Sequence, residues 1–578
     1  MAGPATELGL DRSGNGNNFT VAGTLGSDQM VDTPTNNFCT VNPLDVQTAD
    51  KLKEGNLQLE PGNGRSRGTF AVTSGKWYFE VLLEAQTSST VDVGISGVAH
   101  EVGTDDNNEF VRIQHPSANG NGVKINIGGT TTDNQGSVAN GNIIGCFFDM
   151  DAEEVSFLVN NSAIAASCTG ADFSGLTNKD MMTPHIITGG GRRAVANFGQ
   201  DSSFNGAKTA QGNQDDNDIG DFYYAPPSGF LALCTKNLSE PAITPSEHFN
   251  SVLYTGNGGT PSITGVGFQS GFTWIKARSE VRAHYHFDEV RGVQEALSFD
   301  AVGSQDTSSA YLTAFGADGF SLGNSVTVNK NTITYAAWNW KIGGDSGSSN
   351  TNGSINTTST SVNSDAGISI STYTGNATSG ATVGHGLSKT PEWIIVSNRG
   401  QNGGHNQFHT ALGPTKTAPT QSYEPASTSS NIWNDTAPTA SVFSLGNNAA
   451  INGNNNTYVA YCFHGVDGYS KFGNYMGTGS NDGPFVHCGF RPAFIILKNT
   501  AAYQHYVMYD VKRSTTNLVD NAVYTDVTEA ESSAAEHNID ILSNGFKVRN
   551  NAAQNNTNAN LHIFMAFAEI PFKYSNAR

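Results

Sequence analysis

The sequence predicts an all-β fold made of tandem β-sandwich modules with little helix. Three observations carry this. Charged residues are only 14% of the 578-residue chain, well under the roughly 25% of an ordinary globular protein, and Gly (65 residues), Asn, Ser and Thr take their place. Such residues stabilise turns and compete with helices, while 31 Phe, 18 Tyr and 6 Trp spread along the chain supply cores and argue against disorder. Short apolar or alternating runs recur between Gly/Asn/Asp clusters, which is the pattern of strands joined by turns. The C-terminal part then repeats one pattern three times.

The repeat is read from shared landmarks. The first copy has Tyr254-Thr-Gly-Asn, Trp274, Gly319-Phe-Ser-Leu and Tyr335-Ala-Ala-Trp. The second has Tyr373-Thr-Gly-Asn, Trp393, Val442-Phe-Ser-Leu and Tyr458-Val-Ala-Tyr, and the third Tyr475-Met-Gly-Thr, Phe494, Gly545-Phe-Lys-Val and Phe564-Met-Ala-Phe. Spacings of 119 and 102 residues between the tyrosines are domain-sized, beyond the roughly 20–50 residues of a solenoid unit. Modules in series imply an extended object that presents surfaces. Within them, Trp393–Val396 and Phe494–Leu497 read as strands buried on both faces.

Taken in order, residues 1–54 form a turn-rich segment suited to docking, with Asn-Gly and Asp-Thr-Pro turns. Residues 55–205 form a β-sandwich, in which Lys76–Leu83 alternates with aromatics on both faces. Residues 206–226 read as a linker or an ordered acidic loop. The copies occupy 227–343, 367–466 and 467–578, with a Gly/Ser/Asn-rich linker over 344–366. The best helical stretch is Asp526–Ala535, about two turns.

One stretch carries a specific resemblance. Gly75–Glu80, Val93–Ile95, Ile144–Asp149, Val155–Asn160, Pro184–Ile186 and Asn197–Gln200 follow the landmark order of the SPRY (B30.2-like) domain. The resemblance implies a concanavalin-like sandwich that binds partners through loops and carries no catalytic machinery. Trp77, Phe147 and Phe157 are then core positions, and Gly94 and Gly145 positions that need backbone freedom.

Charge and motifs exclude several functions. A net charge of −20 disfavours binding to nucleic acid phosphates. The N-terminus lacks the pattern of a signal peptide, and no apolar run reaches the length of a membrane span, so the chain is expected to be made in a cytoplasm and not inserted in a membrane. Six widely spaced cysteines without CxxC read as free buried thiols. No nucleophile elbow, P-loop or HExxH stands in a convincing context, and Gly189-Gly-Gly-Arg-Arg193 precedes a strand, not a helix. The expectation is therefore a non-enzyme with no cofactor; paired carboxylates leave a polysaccharide depolymerase as the minor alternative.

His284, His286 and Asp288 form the sharpest cluster. On a strand they share one face, an arrangement able to ligate metal. Only part of it recurs in the other copies, so polar residues at a module edge are the preferred reading, with no metal. A ligand is expected where the copies differ: near His284–Gly292, in 398–437 and in 500–540. The carboxylates of Asp105–Glu109, Asp149–Glu154 and Asp216–Asp221 lack EF-hand spacing and read as solvated loops.

Taken whole, the strings Asp11–Asn18, Val31–Phe38 and Phe567–Arg578 with the modules between them resemble tailed-bacteriophage virion proteins of the tail-fibre or head-fibre type. That resemblance implies location in a virion, other virion proteins as partners, and a homo-oligomer, a trimer by analogy with fibres. The leading functional expectation is a fibre that adsorbs to host cell-surface carbohydrate, since uncharged Asn/Ser/Thr/Gly loops suit hydrogen bonding to sugars and exposed aromatics suit stacking. The alternative is a head fibre or capsid or tail decoration protein.

Overall fold

The computed structural model describes residues 16–18, 32–33, 35–84, 91–99, 109–115, 123–132, 136, 138–400 and 404–575. The chain is all β, with 42% strand and 5% helix in several separate sheets and no closed barrel. It divides into two compact units, Met1–Glu240 and Pro241–Arg578. No helix among the described residues is long and apolar enough to cross a membrane.

The first unit is a sandwich. One sheet runs in the order Val41–Val46, Gly64–Gly68, Met182–Thr188, Val91–Gly97, Phe110–His115, Lys124–Ile127, Thr130–Thr132. The other is built around Lys76–Glu84, between Ile143–Asp149 and Arg193–Asn197. Trp77, Phe79, Val81 and Leu83 alternate with Tyr78 and Leu82, and all are buried, as a strand covered on both faces requires. Because Val41–Val46 is a sandwich strand, the expected docking segment is shorter than 1–54; most of the remainder lies outside the described residues.

Residues 206–226 are not a linker. Ile219 and Phe222 bury against Phe38, Tyr78 and Cys234. Glu80, fully buried, accepts the backbone N–H groups of Tyr223 (2.9 Å) and Tyr224 (2.8 Å), the Tyr78 hydroxyl (3.0 Å) and the Asn197 amide (3.1 Å). The ordered alternative holds, and the polar composition could not select it because its partners, one carboxylate and a set of aromatic rings, lie far away in sequence. The following residues also stay in the first unit, where Leu231–Ala232 pairs in parallel with Lys76–Glu84, so the first copy starts later than 227.

The second unit contains the three copies. Each has a large sheet and a small one. The large sheet of the first copy runs Phe249–Thr255, Thr334–Trp340, Phe272–Ala277, Tyr285–Asp288, Glu295–Ser298, Asp306–Thr307. In the second, Ile368–Thr374, Thr457–Phe463, Trp393–Asn398, His405–His409 and Lys416–Pro419 take the same order, and in the third Ser470–Met476, Leu561–Pro571, Phe490–Asn499, Val507–Asp510 and Asn521–Tyr524. Side chains alternate between two destinations. Ile394 and Val396 face the small sheet of their own copy, while Trp393 and Ile395 enter a core shared by all three copies. Phe494 and Ile496 do the same against Ile495 and Leu497. The copies are therefore wrapped around one common core with quasi-threefold correspondence, not strung out in series. Burial of both faces of each large sheet explains why these strands read as continuous apolar runs.

The repeated tyrosine motif has a local cause in each copy. Tyr254, Tyr373 and Tyr475 stack on Tyr335, Tyr458 and His562 with centroids 5.0, 5.1 and 4.8 Å apart. Their hydroxyls donate to the carbonyls of Val328, Ile451 and Asn555, each at 2.7 Å. The glycine two residues later admits no side chain: a Cβ at Gly256, Gly375 or Gly477 would come within 2.2, 2.6 or 2.1 Å of a carbonyl oxygen. Next, the backbone N–H of Asn257, Asn376 or Thr478 donates to the buried amide oxygen of Asn329, Asn452 or Asn556.

Two further expectations change. Residues 344–366 are ordered by pairing: Ser348 and Thr360 exchange backbone hydrogen bonds at 3.1 and 2.7 Å, and Ser359–Asn363 is an edge strand on Ile368–Thr374. The helix expected over Asp526–Ala535 is absent. The Glu531 N–H pairs with the Arg278 carbonyl (2.9 Å) and its carboxylate with Arg278 and Arg513, so tertiary partners override local helical preference. All six cysteines are free and buried.

Candidate functional site

Strand register sets the correspondence between copies. Phe272, Trp393 and Phe494 oppose Asp288, His409 and Asp510. Trp274, Ile395 and Ile496 oppose Trp338, Tyr461 and Met565. Trp393 thus matches Phe272, two residues from the Trp274 with which the sequence spacing aligned it. A shift of two keeps the same face of the pleat, so the pattern alone could not detect it.

The His284/His286/Asp288 cluster is not a surface site. All three residues have 0% exposure and lie inside the shared core. His284 accepts the Trp274 indole N–H at Nδ1 (3.0 Å) and donates from Nε2 to the Tyr524 carbonyl of the third copy (2.8 Å). His286 stacks on Phe299 with centroids 3.8 Å apart. Burial holds both imidazoles well below their ordinary pKa, hence neutral. Asp288 is ion-paired with Arg291 and accepts the Tyr461 hydroxyl of the second copy at 2.7 Å. No cluster of three or more metal-ligating side chains occurs among the described residues. The three residues join copies together, and a surface ligand cannot reach them.

The acidic loops serve local ends. Asp149 pairs with Lys76 (2.8 Å) and caps the turn at Asp151 and Ala152. Asp216 accepts from Ser228 and Gly229, and Asp221 from Ser202. Of Asp105–Glu109, only Glu109 is among the described residues.

Each junction between copies uses the same backbone contact. The N–H of Gln305, Glu531 or Ala426 donates to the carbonyl of Arg399, Arg278 or Thr500, at 2.9, 2.9 and 2.8 Å. Beside it, the first–second junction adds Arg399 on Gln305 (2.9 Å), and the third–first junction adds a two-pronged Arg278–Glu531 ion pair (3.0 and 2.8 Å). At the second–third junction the matching residue is Thr500, too short for such a clasp. In that place stands a ledge of aromatic side chains from both copies.

Tyr423 (51% exposed) and Tyr503 (64%) form its outer edge, with centroids 5.9 Å apart and planes at 57°. His505 lies 5.6 Å from Tyr423 and stacks on Tyr524 at 4.8 Å. The Nδ1 of His505 meets Asp526 Oδ2 at 2.9 Å, and this hydrogen bond raises the imidazole pKa against the opposing effect of partial burial. Beneath, Lys498 donates to the Gln504 carbonyl and lies over the Tyr506 ring, 4.7 Å from its centroid. Burial pulls its pKa down to about 8. The Oδ1 atom of Asp526 is buried without a hydrogen-bond partner and adds its charge to the field around Lys498.

Residues 244–571 match the family model described as Domain of unknown function (DUF7483). The chain belongs to this family. The match spans all three copies, so the DUF7483 domain is the whole three-copy unit, in keeping with the core the copies share. Residues 76–201 match the SPRY domain model. The structure is similar to a crystal structure of the TRIM65 PSpry domain (12% identity, 28% of this chain and 92% of that one, TM-score 0.21). It is also similar to the SPRY domain of human HERC1 (18%, 29% and 96%, 0.20) and to stonustoxin (15%, 28% and 27%, 0.19). No curated protein matches.

Within the DUF7483 domain, the ledge falls in two stretches where the copies differ, 398–437 and 500–540, and the buried histidine cluster accounts for the third. Sequence reading marked the stretches but not the residues. Tyr423 and Tyr503 are 80 positions apart and only the wrapping of copies brings them together.

Proposed function

We propose that the protein is a non-enzymatic structural component of a tailed-phage virion, of the fibre type, which adsorbs to host cell-surface carbohydrate through loops of its DUF7483 domain. The virion assignment rests on the resemblance of the N- and C-terminal strings and the module order. The carbohydrate reading rests on one observation, the exposed Tyr423–Tyr503 ledge at the junction without an arginine clasp. The histidines and the Asp–Arg pairs of the shared core are spent on holding copies together and are closed to solvent, which leaves exposed aromatics and uncharged polar loops as the recognition surface. The SPRY sandwich serves in this reading as the module that meets other virion proteins.

The test is adsorption of the purified full chain to host cells and to surface polysaccharide extracted from them. Binding to polysaccharide without shortening it is the expected result. Binding to bare capsids and not to cells would replace this reading with the decoration protein, and a shortened polysaccharide with the depolymerase.

A further inference from the structure

We infer that the ledge formed by Tyr423, Tyr503 and His505 is a binding subsite for a neutral pyranose ring. This rests on the carbohydrate reading above and names its site and sugar class.

Two features select a saccharide. The Tyr423 and Tyr503 rings stand 5.9 Å apart and tilted by 57°, so one six-membered sugar ring can lay a C–H face on one ring while its rim meets the other. Aromatic faces carry partial negative charge and attract the polarised C–H groups of such a face. At the rim, two phenol hydroxyls and the His505 Nε2, not engaged by Asp526, supply donors and acceptors for sugar hydroxyls. A protein partner would need roughly 800 Å² per side, far more than two exposed tyrosine rings offer.

Charge selects the neutral class. Lys498 is buried and turned to the Gln504 carbonyl and the Tyr506 ring. The other groups acting on it are the carboxylates Asp526 and Glu424, and those acting on His505 are Asp526 and Glu529, with Lys498 as the one opposing cation. A uronic or sialic acid would bring another negative charge into this set. Asp526 is a positioning residue: fully buried, it holds the His505 ring in place and keeps it from turning.

The test is an array of neutral and acidic oligosaccharides probed with the full chain, wild type and Tyr423→Ala/Tyr503→Ala. Both side chains are largely exposed, so unchanged thermal unfolding serves as the control for folding. The expected result is binding to neutral saccharides, weakened roughly tenfold or more by the double substitution, with Tyr503→Phe, which keeps the ring and loses one rim hydroxyl, falling between the two. Asp526→Asn should weaken the same saccharides and lower the His505 pKa in an NMR titration. Saccharide binding that the double substitution leaves intact overturns the ledge while the carbohydrate reading stands. A preference for acidic glycans overturns the neutral class. A wild-type chain that binds no saccharide overturns both.

Discussion

Trp338 of the first copy donates its indole N–H to Asp510 of the third at 3.0 Å, across 172 residues of sequence. Asp510 is also paired with Arg513, and neither side chain is exposed. The first–second junction repeats the device with Tyr461, Asp288 and Arg291. At the second–third junction the corresponding residues are Met565, His409 and Leu412, and the ion pair is gone.

The first prediction follows from that contrast. Asp510→Ala should destabilise the DUF7483 domain by up to about 3–5 kcal/mol, because it takes one of two carboxylate partners from a fully buried guanidinium, leaving it Glu531 and the Met508 carbonyl, and leaves the Trp338 indole N–H unpaired. The double substitution Asp510→His/Arg513→Leu, which copies two of the three residues of the second–third junction, should cost less than Asp510→Ala alone. Denaturant unfolding of the three proteins checks this; a double variant weaker than the single one would show that the ion pair itself holds the junction.

The buried asparagines are the second target. Asn452 accepts from the Asn376 N–H (2.9 Å) and donates to the carbonyls of Gly446 (2.7 Å) and Thr378 (3.0 Å). Asn452→Ala takes the partner from the Asn376 N–H and the Gly446 carbonyl, at about 1–3 kcal/mol for each that stays buried, while the Thr378 carbonyl keeps the Ala381 N–H at 3.2 Å. Asn452→Asp keeps the acceptor and loses the donors, so it should also destabilise. Loss of hydrogen-exchange protection at Asn376 is the local readout.

Glu80 makes a pH prediction for the SPRY sandwich. Burial raises its carboxyl to about 7, outweighing the hydrogen bonds from Tyr224, Tyr223, Tyr78 and Asn197. Between the ordinary value of 4.5 and about 7 the folded state binds more protons than the unfolded state, so stability falls as pH rises through this window and levels off above it. The first unit should therefore be more stable at pH 5 than at pH 7.5 by on the order of 1–3 kcal/mol, read as a higher unfolding temperature at pH 5. Glu80→Gln should flatten that dependence, and a slope that persists in the variant would assign it to another group.

What the sequence determined by itself is what short range controls. Turn residues, strand alternation and the recurrence of Tyr-Thr-Gly-Asn reveal an all-β chain and a triplicated module, because a stacked tyrosine pair, a glycine under a carbonyl and a capping asparagine are satisfied within each copy. The Lys76–Leu83 strand and the landmarks around it likewise resemble the SPRY domain found at 76–201. Segment 344–366 misled and 206–226 stayed open between linker and ordered loop, since polar residues look the same whether water or a distant backbone satisfies them.

Only the tertiary structure decided how the copies meet. Copies meet through pairs such as Trp338–Asp510, Tyr461–Asp288 and His284–Tyr524, whose members belong to different copies, so the repeat marks the positions and not which residue meets which. Wrapping the large sheets about one core buried the histidines that looked like ligands, and at the junction lacking an arginine it set Tyr423 beside Tyr503. A period in sequence reports what every copy needs for itself; contact between copies depends on the closure of all three.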